Sequence, residues 1–132
     1  MEFSFDTIQD FDEHIQMSIP DYDHLNGHIK HFASFMIKRD ALVYDVGCST
    51  GKLINEIAEQ SDKGRYIGID KSHNVLAQNT GSHPRVELVN DDLTTTQLQT
   101  CDVVLSIFTL QFLQGDDREL VIKKIYDALP VA

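Results

Sequence analysis

Short apolar runs alternate with amphipathic segments after residue 40, and this alternation restricts the fold more than any other feature of the sequence. The apolar runs, each a predicted strand, are residues 42–46, 65–69, 86–89 and 102–108, and the predicted helices are residues 52–60, 73–78 and 116–129. Strands that alternate with helices of this length form βαβ units with parallel strands. Because these crossovers are right-handed, the sequence predicts a doubly wound α/β sheet of about four strands in the order 3-2-1-4.

Two helices are predicted before the sheet. Asp6 or Thr7 can cap the first helix, which ends near Pro20, and Asp21 or Asp23 can cap the second. The apolar residues that recur at helical spacing in the second helix are Leu25, Ile29, Phe32 and Met36. We therefore expect a single domain, with a helical segment in residues 1–40 and the sheet core in residues 41–132.

The composition is that of an ordinary globular domain with an acidic surface. Hydrophobic residues make up 42% of the 132 residues, charged residues 24%, and the net charge is −10. A negative field repels phosphates, so no direct contact with nucleic acid is expected, and an acidic face for basic partners is the rarer alternative. The sequence has no apolar run of membrane-spanning length, no signal-peptide pattern and no disulfide framework. We therefore expect a cytoplasmic protein without membrane contact.

A glycine-containing loop joins the first predicted strand to the helix that follows it. Its sequence is Asp45-Val46-Gly47-Cys48-Ser49-Thr50-Gly51. Gly47 permits a tight turn and lets a ligand approach the backbone, since it has no Cβ, and Gly51 allows close packing at the helix start. The spacing differs from that of dinucleotide-binding loops, and Leu53 stands where a triphosphate-binding loop has Ser or Thr. The loop therefore disfavours a nucleoside triphosphate ligand.

Acidic residues follow the second and third predicted strands. Asp70 ends the second strand, 23 residues after Gly47, and Asp92 follows the third within Asn90-Asp91-Asp92-Leu93. The carboxyl ends of parallel strands form the ligand-binding edge of such a sheet, where Asp70 can accept both ribose hydroxyls of a nucleoside and Asp92 an adenine amino group. The alternatives are a helix cap for Asp70 and a turn or cap for Asp92. The pairing of Asp70 with the glycine loop favours the ligand role.

Two weaker signals concern metal binding and covalent catalysis. His24, His28 and His31 share one helix face, but no neighbouring Cys or carboxylate completes a ligand set, so no metal site is expected. Cys48 lies near a helix start, where the pKa of a thiol falls, but no base accompanies it and a packing role is favoured. The sequence therefore assigns no catalytic residue.

Four segments of the chain are similar to segments of a known family. The first runs from Phe5-Asp6 through Ser18-Ile19-Pro20-Asp21-Tyr22, and the others are Val43-Tyr44-Asp45-Val46-Gly47-Cys48-Ser49, Phe108-Thr109-Leu110-Gln111-Phe112-Leu113 and Lys124-Ile125-Tyr126. Through them the chain resembles the class I S-adenosylmethionine-dependent methyltransferases. Within that superfamily it most resembles the carboxy-S-adenosylmethionine synthases, which serve wobble-uridine modification in bacterial tRNA. The resemblance implies a Rossmann-like fold.

The resemblance also implies how the chain would bind S-adenosylmethionine (SAM), its carboxy form or S-adenosylhomocysteine (SAH). Tyr22 would close over the cofactor, residues 47–49 would face its methionine part and Asp70 its ribose. Residues 92–93 would face its adenine and residues 106–107 its sulfonium. The residues implied at the cofactor are Tyr22, Asp45, Gly47, Cys48, Ser49, Gly51, Asp70, Lys71, Asp92, Leu93, Ser106 and Ile107.

Relatives in this family continue beyond the equivalent of residue 132 into three further strands, so the resemblance implies a fold without its last strands. Strand 102–108 would then be an apolar sheet edge, and we expect a second copy or a protein partner to cover it. Two functions follow from the resemblance. One is a SAM-binding, methyltransferase-like protein related to the synthases; the other is a truncated, non-catalytic module that holds SAM or SAH and acts through a partner or oligomer. An acidic interaction protein that has lost the ligand is a more remote third.

Overall fold

Helices and strands alternate through the computed structural model, which describes residues 9–79, 81 and 83–130. The helices are α1 (Phe11–Ser18), α2 (Tyr22–Met36), α3 (Lys52–Glu59), α4 (His73–Leu76) and α5 (Gly115–Ala128), and the strands are β1 (Leu42–Val46), β2 (Arg65–Asp70), β3 (Val86–Asn90) and β4 (Val103–Leu105). A 3₁₀ turn at Leu110–Phe112 precedes α5. Within this part of the chain, no helix is both long and apolar enough to cross a membrane.

The strands of the described residues form one parallel sheet in the order β3-β2-β1-β4, which confirms the predicted order and the Rossmann-like fold. Asp45 of β1 lies opposite Gly68 of β2 and Leu105 of β4. Asp70 of β2 lies opposite Asn90 of β3. The carboxyl ends of the strands therefore lie at one edge of the sheet, where the connecting loops can form a common site.

β1 is buried along its whole length, as expected for the central strand of a sheet covered on both faces. Val43 belongs to a core cluster with Ile54 and Ile57 of α3. Tyr44 and Val46 belong to a second cluster, which includes residues of α5. Successive side chains of a strand point to opposite faces, so β1 joins the two halves of the core.

The strand predicted at residues 102–108 is shorter in the structure. β4 ends at Leu105, and Phe108 has a φ of +55°, which a continuing strand does not permit. The hydroxyl of Thr109 donates to the carbonyl of Val46 at 2.9 Å. The chain therefore leaves the sheet after β4 and crosses above the end of β1, and the apolar run continues as part of that crossing.

The two N-terminal helices also differ from the prediction. Asp6 and Thr7 lie outside the described residues, and α1 begins at Phe11 with Asp10 as its cap, since the Asp10 carboxylate accepts from the Glu13 amide at 3.2 Å. Asp21 precedes α2, as predicted, but its side chain makes no capping hydrogen bond.

The apolar residues that recur at helical spacing in α2 are only partly buried. Leu25 and Ile29 are half-buried, and Ile29 packs against the core, but Phe32 is 65% exposed and Met36 59%. Asn26 and Ala33 are buried. Ala33 belongs to the same core cluster as Val43 and Ile54. A small residue lets a helix approach its neighbour closely, and this contact, which periodicity alone cannot identify, sets the orientation of α2.

Arg85 anchors the connection between α3 and β2. Its guanidinium donates to the carbonyls of Ala58, Ser61, Lys63 and Gly64, and it lies 5.6 Å from the centre of the Tyr66 ring. Hydrogen bonds from a charged donor contribute more than neutral ones, and removing this donor leaves several carbonyls without their partner.

We expect Arg85→Met to lower the free energy of unfolding by about 2 kcal/mol in urea titrations. The matched control is Arg39→Met, which removes an exposed cation 3.7 Å from the exposed Asp62 carboxylate. That change is expected to cost about 0.5 kcal/mol or less, because exposed pairs are screened by solvent. Equal losses in the two variants would show that Arg85 has no anchoring role.

Candidate functional site

A cleft of about 930 Å³ opens at the carboxyl edge of the sheet. Its polar walls include Asp70, Lys71 and Asp92, which come from the loops after β2 and β3. Its apolar walls include Phe11 of α1 and Phe112 of the 3₁₀ turn. The volume lies in the usual range of small-molecule sites, and the combination of an apolar lining with a few polar groups is typical of them.

The glycine loop forms the floor of this cleft next to β1. The amides of Gly47 and Cys48 both donate to the carbonyl of Ile69, at 2.7 and 3.0 Å, which ties the loop to β2. Gly47, Ser49 and Gly51 have φ values of +77°, +58° and +81°. These left-handed residues turn the chain sharply from the strand into α3.

Position 47 requires glycine for two reasons, the closeness of Thr109 and the backbone angle. A Cβ at this position would overlap the Thr109 hydroxyl and would lie 2.6 Å from the Thr109 methyl group. The φ of Gly47 adds strain for any other residue. We therefore expect Gly47→Ala to lower the free energy of unfolding by about 2–4 kcal/mol, measured by chemical denaturation.

Gly27 is the control for this substitution. It lies inside α2, and a Cβ there would meet nothing within 4 Å. Alanine is favoured over glycine inside helices by about 0.5–1 kcal/mol, so Gly27→Ala is expected to stabilise the protein. A loss at position 47 no greater than the change at position 27 would contradict the assigned crowding.

Asp70 connects the loops that follow β1 and β2. One carboxylate oxygen accepts from the Ser49 amide and the other from the Ser72 amide, both at 2.9 Å. The N-cap of α4 is Ser72, whose hydroxyl accepts from the Val75 amide at 3.3 Å. The carboxylate therefore holds the glycine loop against β2, while Asp70 also lines the cleft.

Asp92 forms a turn at the opposite wall of the cleft. One of its oxygens accepts from the amide and the hydroxyl of Thr94, at 2.9 and 2.8 Å, and these bonds hold the pKa of Asp92 below its usual value. The ammonium of Lys124 in α5 donates to three carbonyls of the same loop, those of Leu93, Thr94 and Thr96. The turn considered from the sequence is therefore present, and Asp92 and Leu93 line the cleft as well.

A smaller cavity of about 30 Å³ adjoins the cleft beneath the glycine loop, and Asp45 lines it. Asp45 is only 3% exposed. Burial, with a further contribution from the negative charge of Asp70, raises the pKa of Asp45 to about 7. Tyr22 lines both cavities from the start of α2, and burial raises its pKa as well.

The remaining predicted residues differ in whether they line the cleft, the smaller cavity, both or neither. Gly47, Ser49 and Ile107 line both cavities, whereas Cys48 lines only the smaller one. Gly51 packs against β3, since a Cβ there would lie 2.8 Å from a methyl carbon of Leu88. Ser106 is not among the described residues that line either cavity.

The Cys48 side chain packs against the sheet. An added Cβ at Gly68 would come within 2.8 Å of its sulfur. Burial, together with the charges of Asp45 and Asp70, raises the pKa of the Cys48 thiol far above its usual value. A thiol in these surroundings stays protonated, which agrees with the packing role favoured from the sequence.

Several lining residues were not assigned from the sequence. Phe11 and Ile15 come from α1, and Thr109, Gln111 and Phe112 come from the crossing between β4 and α5. The residue pattern around them did not predict a binding site, although residues 108–113 had carried the family resemblance.

α1 is attached to both sides of the site. The Thr50 hydroxyl donates to Asp12 at 2.8 Å, and the Phe11 amide donates to Gln78 at 2.8 Å. Thr50 belongs to the glycine loop, and Gln78 follows α4. Local sequence patterns cannot predict contacts between residues so far apart in the sequence.

Known proteins share both the sequence and the fold of this chain. Residues 43–130 match the family model for a methyltransferase domain. Carboxy-S-adenosyl-L-methionine synthase of Staphylococcus epidermidis is 32% identical over 126 residues, which cover 93% of this chain and 55% of that protein. The synthase of Wolinella succinogenes is 35% identical over 90% of this chain and 52% of its own length. The chain thus spans about half the length of the curated relatives it matches.

Solved structures show the same fold. A SAM-bound amino pentose methyltransferase from Micromonospora echinaspora has a TM-score of 0.72 at 20% identity, covering 98% of this chain and 55% of that one. A chain from the complex of the Haloferax volcanii Trm112 methyltransferase activator with a methyltransferase has a TM-score of 0.66 at 16% identity, covering 80% and 47%. Since the methyltransferase model matches well over half of the residues, this chain belongs to the methyltransferase-domain family.

Proposed function

We propose that this chain is the cofactor-binding part of a methyltransferase-type protein related to the carboxy-S-adenosylmethionine synthases, and that its cleft binds SAM, carboxy-SAM or SAH. The observation that carries this proposal is the position of Asp70. Asp70 is the last residue of β2, and its carboxylate accepts a hydrogen bond from the Ser49 amide of the glycine loop. Asp70 also lines the cleft. A carboxylate accepts several hydrogen bonds at once, so one in that position is suited to ribose hydroxyls.

The other lining residues support an extended nucleoside ligand. The proposal assigns the ribose to Asp70 with Lys71 beside it, and the adenine to Asp92 and Leu93 at the far wall. Residues 47–49 lie at the other end, where the methionine part would be. Ile107 lies between the cleft and the smaller cavity, and the sulfonium is assigned there.

The helical segment is proposed to close over the cofactor. Tyr22 and Phe11 line the cleft, and α1 is hydrogen-bonded to Thr50 on one side and to Gln78 on the other. A ligand held between the sheet edge and these helices is shielded from water. Shielding and alignment are what the transfer of a methyl group from a sulfonium chiefly requires, so a fixed base need not be present.

The test is titration calorimetry of the full chain with SAH. We expect saturable heat with a dissociation constant of about 1–100 µM, typical of metabolite sites. ATP, which shares the adenosine but carries phosphates, is expected to give none, because the glycine loop lacks the Ser or Thr of triphosphate sites. Absence of heat with SAH would contradict the proposal. Mass spectrometry of any copurified ligand would distinguish the methyl, carboxymethyl and demethylated forms.

A role in tRNA modification belongs to the first candidate, through its relation to the synthases. A non-catalytic module acting through a partner or oligomer is the second candidate. The observations that favour it are the outer position of β4 in the sheet of the described residues and the exposed apolar side chains of α5. Ile122 and Tyr126 of α5 are 46% and 79% exposed. Sedimentation at micromolar concentration is expected to show self-association, and a monomer would contradict it.

A further inference from the structure

The connection between β3 and β4 contains neither a helix nor a strand. It comprises residues 91–102, all of which the structure describes, whereas helices α3 and α4 follow β1 and β2. Asp92, Leu93 and Thr94 of this connection line the cleft. Backbone carbonyls outside regular structure have no partners along a helix or a neighbouring strand, so other groups must supply their donors.

Lys124 of α5 supplies three of these donors. Its ammonium donates to the carbonyls of Leu93, Thr94 and Thr96, at 3.2, 2.7 and 2.8 Å. An ammonium has three N–H groups, so each of them has an acceptor in this one connection. The Lys124 side chain is half-buried, and hydrogen bonds from a charged donor are stronger than neutral ones. Lys124 therefore holds the connection against α5.

The bonds of Lys124 fall within the turn that Asp92 forms. The Thr94 amide donates to the Asp92 carboxylate at 2.9 Å, and the Thr96 amide donates to the Asp92 carbonyl at 2.8 Å. Lys124 binds the carbonyls of the same two threonines, although it is not among the described residues that line the cleft. It thus fixes the backbone that carries the Asp92 carboxylate without approaching a ligand itself.

α5 holds a second segment of the cleft wall through a different cation. The Arg118 guanidinium donates to the carbonyls of Leu110 and Leu113, both at 2.9 Å. Residues 110–113 include Phe112 and Leu113 at the cleft, and they contain no carboxylate. The two wall segments can therefore be released separately, one by a change at position 118 and the other by a change at position 124.

We propose that Lys124 is a positioning residue that makes the cleft selective for adenine, by holding Asp92 where its carboxylate accepts from the amino group of the base. This inference rests on the proposed binding of SAM or SAH in the cleft. A hydrogen-bonding group rejects a mismatched ligand only when it is held in place, because a mobile group can turn away from the mismatch. Without Lys124, three carbonyls lose their donor and the loop that carries Asp92 is released.

The test compares SAH with S-inosylhomocysteine, in which hypoxanthine replaces adenine and a carbonyl oxygen replaces the amino group. Calorimetry would measure the affinity of both ligands for the unmodified chain and for Lys124→Met. The unmodified chain is expected to bind SAH about 30-fold more tightly than the hypoxanthine ligand, because a carbonyl oxygen cannot donate to Asp92. Lys124→Met is expected to bind SAH about 10-fold more weakly and the hypoxanthine ligand within about twofold, so the preference falls to about threefold.

Three further variants control for charge, for anchoring and for folding. Lys123→Met removes the same charge from the same helix, where Lys123 is exposed and pairs with Asp127 at 2.7 Å, and it is expected to leave both affinities within about twofold. Arg118→Met is expected to weaken both ligands by the same factor, because the segment it releases carries no carboxylate. Lys124→Gln keeps two N–H donors and is expected to lose less of the preference than Lys124→Met. It also serves as the test variant if Lys124→Met does not fold.

The possible results separate this inference from the proposed function. Equal losses for both ligands in Lys124→Met would show a purely structural role and overturn the inference. It is equally overturned if Arg118→Met lowers the preference as much as Lys124→Met does, or if the unmodified chain binds both ligands alike, and cofactor binding stands in either case. No binding of SAH by the unmodified chain would overturn the proposed function itself.

Discussion

Asp70→Ala is expected to lower the affinity for SAH by about 100-fold or more. The proposed site gives the Asp70 carboxylate two ribose hydroxyls, and each hydrogen bond to a charged group is worth about 1.5–3 kcal/mol. The substitution also releases the Ser49 amide, which the carboxylate holds at 2.9 Å, so the glycine loop loses one of its hydrogen bonds to β2. Both effects act in the same direction. Calorimetric titration of the two proteins measures the difference.

Asp62→Ala controls for the change in net charge. Asp62 is exposed and pairs with Arg39 at 3.7 Å, and it does not line the cleft. Asp62→Ala raises the net charge by the same amount as Asp70→Ala. It is expected to leave the affinity for SAH within about twofold of that of the unmodified chain, since exposed charges are screened. An Asp70→Ala protein that binds SAH as well as the Asp62→Ala protein would refute the ribose assignment.

Asp45→Asn is expected to stabilise the ligand-free protein, and to do so more at pH 8 than at pH 5. Burial and the charge of Asp70 raise the pKa of Asp45 from 3.8 to about 7. In the unfolded chain this carboxyl ionises near its ordinary pKa, whereas in the folded chain it stays protonated up to about pH 7. The stability that the protonated carboxyl contributes is therefore present below pH 4 and is lost as the pH rises to about 7.

The shift corresponds to roughly 4 kcal/mol, so we expect the Asn variant to gain about 2–4 kcal/mol at pH 8. Urea unfolding at the two pH values measures the gain. The groups around the carboxyl are Asp12, Tyr22, Lys52 and Asp70, and they are the same in both proteins. A difference between the proteins that does not change with pH would contradict the assignment.

The residue pattern predicted the strands of the sheet and the start of the helix that follows β1. The bounds of β1 and the starts of β2, β3 and α3 were as predicted, because a buried parallel strand is a continuous apolar run followed by a turn. The face of α2 was predicted only in part, since Ile29 packs against the core but Phe32 and Met36 are exposed. Two overlapping sets of residues recur there at helical spacing, and packing of Ala33 against the core decides which of them is buried.

From residue patterns alone, the candidate site was predictable only where it lies on the sheet edge; Tyr22 and Ile107, which also line it, were assigned through the family resemblance. Gly47, Asp70 and Asp92 follow strands, so strand order alone brings them together. Thr109 and Asn26 were missed because their positions depend on contacts across the fold. Thr109 lies against Gly47, 62 positions earlier in the sequence, and Asn26 reaches the smaller cavity from a helix whose orientation the sequence leaves open.

A crystal structure of the full chain with SAH would test the central claim most directly, by locating the ribose. The account predicts both ribose hydroxyls within about 3.2 Å of the Asp70 carboxylate, with the adenine beside Leu93 and the amino-acid end toward residues 47–49. A ribose away from Asp70, or a nucleoside bound outside the cleft, would contradict it.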